Sequence, residues 1–291
     1  SNVFRALINR EFGDLVFQPV SGAGQYYVYY LPFTGGIHDN YPKIGYPPPK
    51  ATADPEWLRR NHLQSPDPTL KSFPSAELIA FQSVDDFDRF DPMELIATRQ
   101  EIDRLLALHP GTQFVVFPED RQFPIRMTGD LPDRWMRRPL GQPFEGRALR
   151  GEFYVFQLGV WAAPARLTDL KVHFEDLRGK GTASLPASSF RCFNLGGVDW
   201  QNAPFTRRVD VPVNTVQPLW CGAQIPEDAE PGTYLGRLHV SAQGAHPAQV
   251  ELRLAVSGEK IANAGNDEPS RLSRLRWLDS ALAQDDGISG F

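Results

Sequence analysis

The feature that most constrains this chain is a strict alternation near its end, where Val250, Leu252, Leu254 and Val256 are interleaved with Glu251, Arg253 and Ala255. Side chains on a β-strand point to opposite faces with a period of two, so this stretch presents one apolar and one largely wet face. That is the pattern of a strand that covers a core on one side only. With the preceding run YLGRLHVSA it reads as a β-hairpin over 226–258, closing a sandwich.

Residues 152–160 (EFYVFQLGV), 170–174, 190–194, 207–213 and 216–221 supply further candidate strands at sandwich-like spacing. They predict an antiparallel β-sandwich over 139–258, with 259–291 as a linker and terminal segment. Leu272, Leu275 and Leu278 in that segment have helical spacing and predict a short docked helix or an extended cover.

Residues 1–138 are expected to form a first, β-rich domain. Its runs FRALI, DLVFQPV and YYVYYLPF are split by Gly13-Asp14 and by the SGAG turn at 21–24, the punctuation of consecutive strands. A long Pro/Gly loop follows, with a short helical piece near Pro55, and ELIAFQ at 77–82 resumes as a strand. One α-helix is predicted over about 92–108: Asp91 caps it, Pro92 takes the first position, and Glu94 completes a capping box. Its stripe is Leu95, Ile96, Ile102, Leu105 and Leu106; Pro110 and Gly111 stop it, and QFVVF at 113–117 returns as a buried strand. The fold class expected is mainly β, two β-sandwich-like domains, the first with this helix inserted. The 26 prolines and 24 glycines agree with many turns between short strands.

A net charge of −5 gives no basic footprint for nucleic acid. No apolar run approaches the ~20 residues a membrane span needs. Cys192 and Cys221 both fall in apolar runs, and two buried free thiols or a disulfide between neighbouring strands are both open. The six histidines are scattered without the i, i+4 spacing of a helical metal pair, so neither a metal nor a cofactor is expected.

Three aromatic residues in the loop region, Tyr41, Tyr46 and Trp57, are the candidate carbohydrate-binding residues, because aromatic faces stack on sugar rings and loops carry binding function. The strand tyrosines Tyr26, Tyr27, Tyr29 and Tyr30 divide between two faces, so one pair is expected in packing. No catalytic residue is assigned. The acidic run Asp85, Asp86, Asp88, Asp91, Glu94 lacks the geometry by which two carboxyls oppose each other across a glycosidic bond, and lacks the glycine turn of a calcium loop. Glu119 and Asp120 are expected to form surface ion pairs with Arg121 and Arg126. No serine sits in a G-x-S-x-G elbow.

The stretches INREFGDLVFQPV (8–20), YYVYYLPF (26–33), FDRFDPMELIAT (87–98), GEFYVFQLGVWAA (151–163) and RLSRLRWLDS (271–280) carry a resemblance. In them the chain resembles large bacterial glycoside-hydrolase-like proteins akin to glycoside hydrolase family 123, in which β-sandwich regions precede a (β/α)-barrel. The resemblance implies a non-catalytic N-terminal accessory region of a secreted, periplasmic or extracellular glycoside hydrolase. Its partner would be a catalytic barrel beginning after about residue 280, which the final dozen residues cannot supply because a barrel needs roughly 250. An independent carbohydrate-binding module, with a glycan as partner, and a glycosidase in its own right are the alternatives.

Overall fold

The computed structural model describes residues 2–9, 11–29, 46, 48–64, 70–79, 93–199, 201 and 203–262. The chain divides between residues 89 and 90 into two units.

In the first unit VFRALI forms β1 (Val3–Ile8), which pairs antiparallel with β2 (Gly13–Phe17) on one side and with β3 (Lys50–Ala51) on the other. Asn9 shapes the first turn: its Oδ1 accepts from the backbone N–H of Glu11 at 2.8 Å and of Phe12 at 2.9 Å. The short helix α1 (Pro55–Arg60) starts where Asp54 Oδ1 accepts the Trp57 N–H at 2.8 Å, and Pro55 stands where a missing N–H costs nothing. Ala53, Leu58 and Leu63 form a small core, against which Phe4, Val16, Trp57, Leu70 and Phe73 pack. The expected strand YYVYYLPF has no ladder partner over 26–29, its described part, and neither has 77–79 of ELIAFQ. Tyr26 instead folds onto Phe17, with ring centroids 4.9 Å apart, and donates its hydroxyl to the Gly22 carbonyl at 2.6 Å.

The second unit opens with α2 (Arg99–Leu108), β4 (Phe114–Asp120), α3 (Asp133–Met136), β5 (Phe144–Arg150) and β6 (Phe153–Ala162). The short strands β7 (Lys171–Phe174), β8 (Leu177–Arg178), β9 (Ser184–Leu185) and β10 (Phe190–Cys192) follow, then the hairpin of β11 (Gly196–Val198) and β12 (Pro204–Thr206). The long strands β13 (Val216–Gln224), β14 (Gly232–Ser241) and β15 (Ala248–Lys260) complete it. One sheet has the order β10-β13-β6-β4; the other runs β5-β15-β14-β8-β9, with β7 also paired to β14. The inner faces of the two sheets meet in one large core that includes Tyr154, Phe156, Leu158 and Val160 from β6 and Val250, Leu252, Leu254 and Val256 from β15. Each such side chain contributes about 1.5–3 kcal/mol of gross stabilisation on burial. The fold is mainly β and sandwich-like, as the alternation in β15 predicts.

Every residue of β6 is buried, because its other face is covered as well. A second core of Met93, Ala97, Val115, Phe117, Ile125, Leu131, Trp135 and Trp161, with Ile102, Leu105 and Leu106 of α2 against it, lies over the outside of the four-stranded sheet.

The structure departs from the sequence reading at five places. The helix predicted over 92–108 begins at Arg99, capped by Thr98 in a reciprocal box with Glu101; Asp91 and Pro92 lie outside the described residues. Residues 95–97 are held extended instead, since the Ala97 N–H donates to the Leu131 carbonyl at 2.8 Å and the Asp133 N–H to that of Leu95 at 2.7 Å. The border expected at 138/139 differs from the division at 89/90 because β4 pairs along its whole length with β6. The segment FEGRALR forms the unforeseen strand β5, in parallel register with β15. Residues 207–213 form no strand: Val211 makes an isolated bridge to Leu167, and the Val209 carbonyl accepts the Leu170 N–H at 2.9 Å. The β15 strand runs past the border expected at 258/259, and the terminal segment from 263 lies outside the described residues. Among the described residues no helix is long and apolar enough to cross a membrane.

Candidate functional site

Of the three residues expected to bind carbohydrate, Tyr41 lies outside the described residues. Tyr46 is 44% exposed, and Trp57 is half-buried against the small core of the first unit. Tyr26 is half-buried against Phe17, whereas Tyr27, Val28 and Tyr29 are 66%, 52% and 89% exposed, so no strand alternation sorts this segment, and Tyr30 lies outside the described residues. The rings of Tyr27 and Tyr29 are better placed for stacking than Trp57.

In the second unit the neighbours Glu119 and Asp120 lie on opposite faces of β4. Val115, Phe117 and Glu119 share the face that looks onto the second core, whereas Phe114, Val116 and Asp120 look onto the sandwich. The Glu119 carboxylate is buried, and its Oε1 accepts from Trp135 Nε1 at 3.0 Å, Arg134 Nε at 3.1 Å and Arg138. Asp120 Oδ2 accepts the Tyr154 hydroxyl at 2.6 Å, while burial and that bond push the phenol far above its ordinary range. The surface pairs expected with Arg121 and Arg126 are not formed: Arg121 pairs with buried Glu152 at 2.6 Å and Arg126 with Glu94 at 2.9 Å. The burial of Glu119 was detectable from the period of β4; its partners, distant in sequence, were not.

An open groove of about 980 Å³ runs along the wet face of the six-stranded sheet, walled by His173, Glu175, Arg178, Arg237, Glu251 and Arg253. The ladder sets Leu235 between Arg253 and Arg178, and Arg237 opposite Glu251. Its carboxylates are engaged. Glu175 Oε1 accepts from His239 Nε2 at 2.6 Å, Asp176 accepts from Arg178 at 3.1 Å and from the Ala187 N–H at 2.9 Å, and Glu251 pairs with Arg253 at 3.6 Å. Two free carboxyls facing each other across a substrate, the arrangement glycoside hydrolysis needs, are not among these lining residues. Among the described residues no three His, Cys, Asp or Glu side chains converge as metal ligands.

Residues 1–84 match the family described as glycoside hydrolase 123, N-terminal domain, and residues 197–242 match a second family of glycoside hydrolase 123 N-terminal domains. One match falls in each unit, and together they support an N-terminal region like those of glycoside hydrolase 123 proteins. No curated protein matches it. Among solved structures it is similar to a family 123 glycoside hydrolase from Clostridium perfringens, described for glycolipid glycan hydrolysis, at 15% identity and a TM-score of 0.41. The likeness covers 50% of this chain and 27% of that one, so the chain spans about a quarter of that enzyme's length. PapD-like domain 7 of human CEP192 is similar at 15% identity and a TM-score of 0.27, covering 41% of this chain and 84% of that domain. A DUF4466 family protein from Parabacteroides merdae is similar at 14% identity and a TM-score of 0.26, covering 49% and 44%.

Proposed function

We propose that this chain is the non-catalytic N-terminal accessory region of a secreted bacterial glycoside hydrolase, holding and shaping a catalytic barrel elsewhere in the same protein. The observation that carries this is the pair of N-terminal-domain matches, one in each unit. The chemistry of the second unit agrees with it, since Glu119, Glu152, Glu175, Asp176 and Glu251 are all engaged by arginines, a histidine or backbone donors. The experiment compares turnover of aryl glycosides by this chain alone and by the full-length protein across pH, and measures the melting temperature of the barrel with and without this region. Silence from the chain alone, turnover by the full protein and a lower melting temperature without the region support the role. Turnover by the chain alone refutes it.

Carbohydrate binding is the second reading, favoured by the exposed rings of Tyr27, Tyr29 and Tyr46. Calorimetry against a glycan panel decides it: saturable heat supports binding, and a flat trace across the panel removes it.

A further inference from the structure

The four-stranded sheet ends on the three-residue edge strand β10. Its ladder to β13 places Phe190 opposite Ala223, Arg191 opposite Gly222, and Cys192 opposite Cys221. Just beyond the cysteines the Phe193 N–H donates to the Trp220 carbonyl at 2.9 Å, and the Asn194 side chain accepts the Trp220 N–H at 2.6 Å. A ladder bond joining the residues that flank a facing pair marks that pair as the narrow, non-hydrogen-bonded kind, whose Cα atoms stand about 4.5 Å apart. Disulfides form across Cα separations of about 4.4–6.8 Å. The two thiols, both free in the structure, belong to residues that face each other directly across this pair. Cys221 is wholly buried in the sandwich core, while Cys192 is half-buried at the sheet edge.

We propose that Cys192 and Cys221 are a redox pair that closes into a cross-strand disulfide in an oxidising compartment, fastening the edge strand β10 onto β13. This stands independently of any catalytic or accessory role. Cys192 initiates: the Cys221 thiol and the Asn194 and Leu195 backbone N–H groups hold its thiol below the usual range, whereas burial raises that of Cys221. Having lost its proton, the Cys192 sulfur attacks oxidised glutathione and releases one glutathione thiolate. Cys221 then gives up its proton, and its sulfur displaces the second glutathione from Cys192. Two protein thiols are oxidised to one disulfide while one glutathione disulfide is reduced to two thiols. The bond closes the loop from Phe193 to Trp220, which carries the β11–β12 hairpin. Closing such a loop stabilises chiefly by restricting the unfolded chain.

The test equilibrates the protein in reduced or oxidised glutathione, quenches in acid, denatures, alkylates and weighs it. After oxidation neither cysteine should take an alkyl group, the mass should fall by two hydrogens, and digestion should yield linked peptides containing residues 192 and 221. The oxidised protein should melt at a higher temperature than the reduced one, and Cys192→Ser should abolish that difference. Alkylation of both cysteines after equilibration with excess oxidised glutathione overturns the proposal. So does a stable glutathione adduct on Cys192 with Cys221 still free; both readouts use the wild-type chain.

Discussion

The indole ring of Trp135 lies directly on Gly159, at the middle of β6, so closely that a Cβ at 159 would overlap it. The ring is stacked on Phe117, with centroids 4.3 Å apart and planes within 6° of parallel. Gly159 is thus required for approach rather than for backbone freedom. Gly159→Ala should cost about 1–3 kcal/mol by overpacking, read by urea denaturation and by a shift in tryptophan emission. Adding Trp135→Leu should recover part of the loss, and no recovery would assign the cost to something other than this contact.

Glu119 is the only acceptor shown for Arg134 Nε, Arg138 and the Trp135 indole among the described bonds. Removing one member of a buried ion pair costs about 3–5 kcal/mol, but the Arg134 and Arg138 side chains are 31% and 34% exposed and stay partly hydrated. Glu119→Ala should therefore cost about 2–3 kcal/mol. Arg126→Ala, whose partner Glu94 is exposed, should cost under about 1 kcal/mol. Equal losses in chemical denaturation would contradict the placement of Glu119.

The Thr98 backbone N–H donates to Glu101 Oε2 at 2.8 Å, and the Glu101 N–H donates back to Thr98 Oγ1 at 3.3 Å. Those Thr98 bonds hold the Glu101 carboxyl below its ordinary value of 4.5. A carboxyl with a lowered folded value stabilises fully above the unfolded value and loses that contribution as pH falls through the folded one. Thr98→Ala should cost about 0.5–2 kcal/mol at pH 7. The gap from wild type should narrow as pH drops below 4.5, measured by thermal melts across pH.

Tyr27 and Tyr29 are exposed, so Tyr27→Ala and Tyr29→Ala should each leave stability within about 0.5 kcal/mol of wild type. If the first unit binds glycans, the same variants should weaken calorimetric affinity while the melting curve stays put. A large fall in melting temperature would show instead that these rings are packed.

Legibility from sequence followed how many faces a strand buries. The β15 strand was readable because its outer face stays wet, so Glu251 and Arg253 interrupt the apolar run. The β6 strand was readable as a strand, but its unbroken burial hid the second layer covering it. Glu145, Gly146, Arg147 and Ala148 in β5 carry little β preference, and the parallel partner lies far along the chain, so local pattern said nothing of it. At the helix start the sequence reading points to Asp91 with Glu94 as the capping box, whereas the structure uses Thr98 with Glu101. Burial of Met93 and Ala97 in the second core, and the bridge of Ile96 to Pro132, keep the residues before Thr98 out of the helix. Such a choice depends on tertiary contacts. For the candidate site, strand period did not sort the tyrosines, because residues 26–29 join no ladder, and it gave neither the partners of Glu119 nor the groove on the wet face.

The double covering of β6 also decides where this protein can be cut. A piece starting at residue 139 would lack β4, α2 and α3, laying bare the side of β6 that carries Gly159 and Trp161. It would present a raw apolar sheet edge and face, a surface that invites aggregation. The sandwich and the segment from Met93 to Leu140 are in that sense one heritable piece, to be moved between proteins together or not at all.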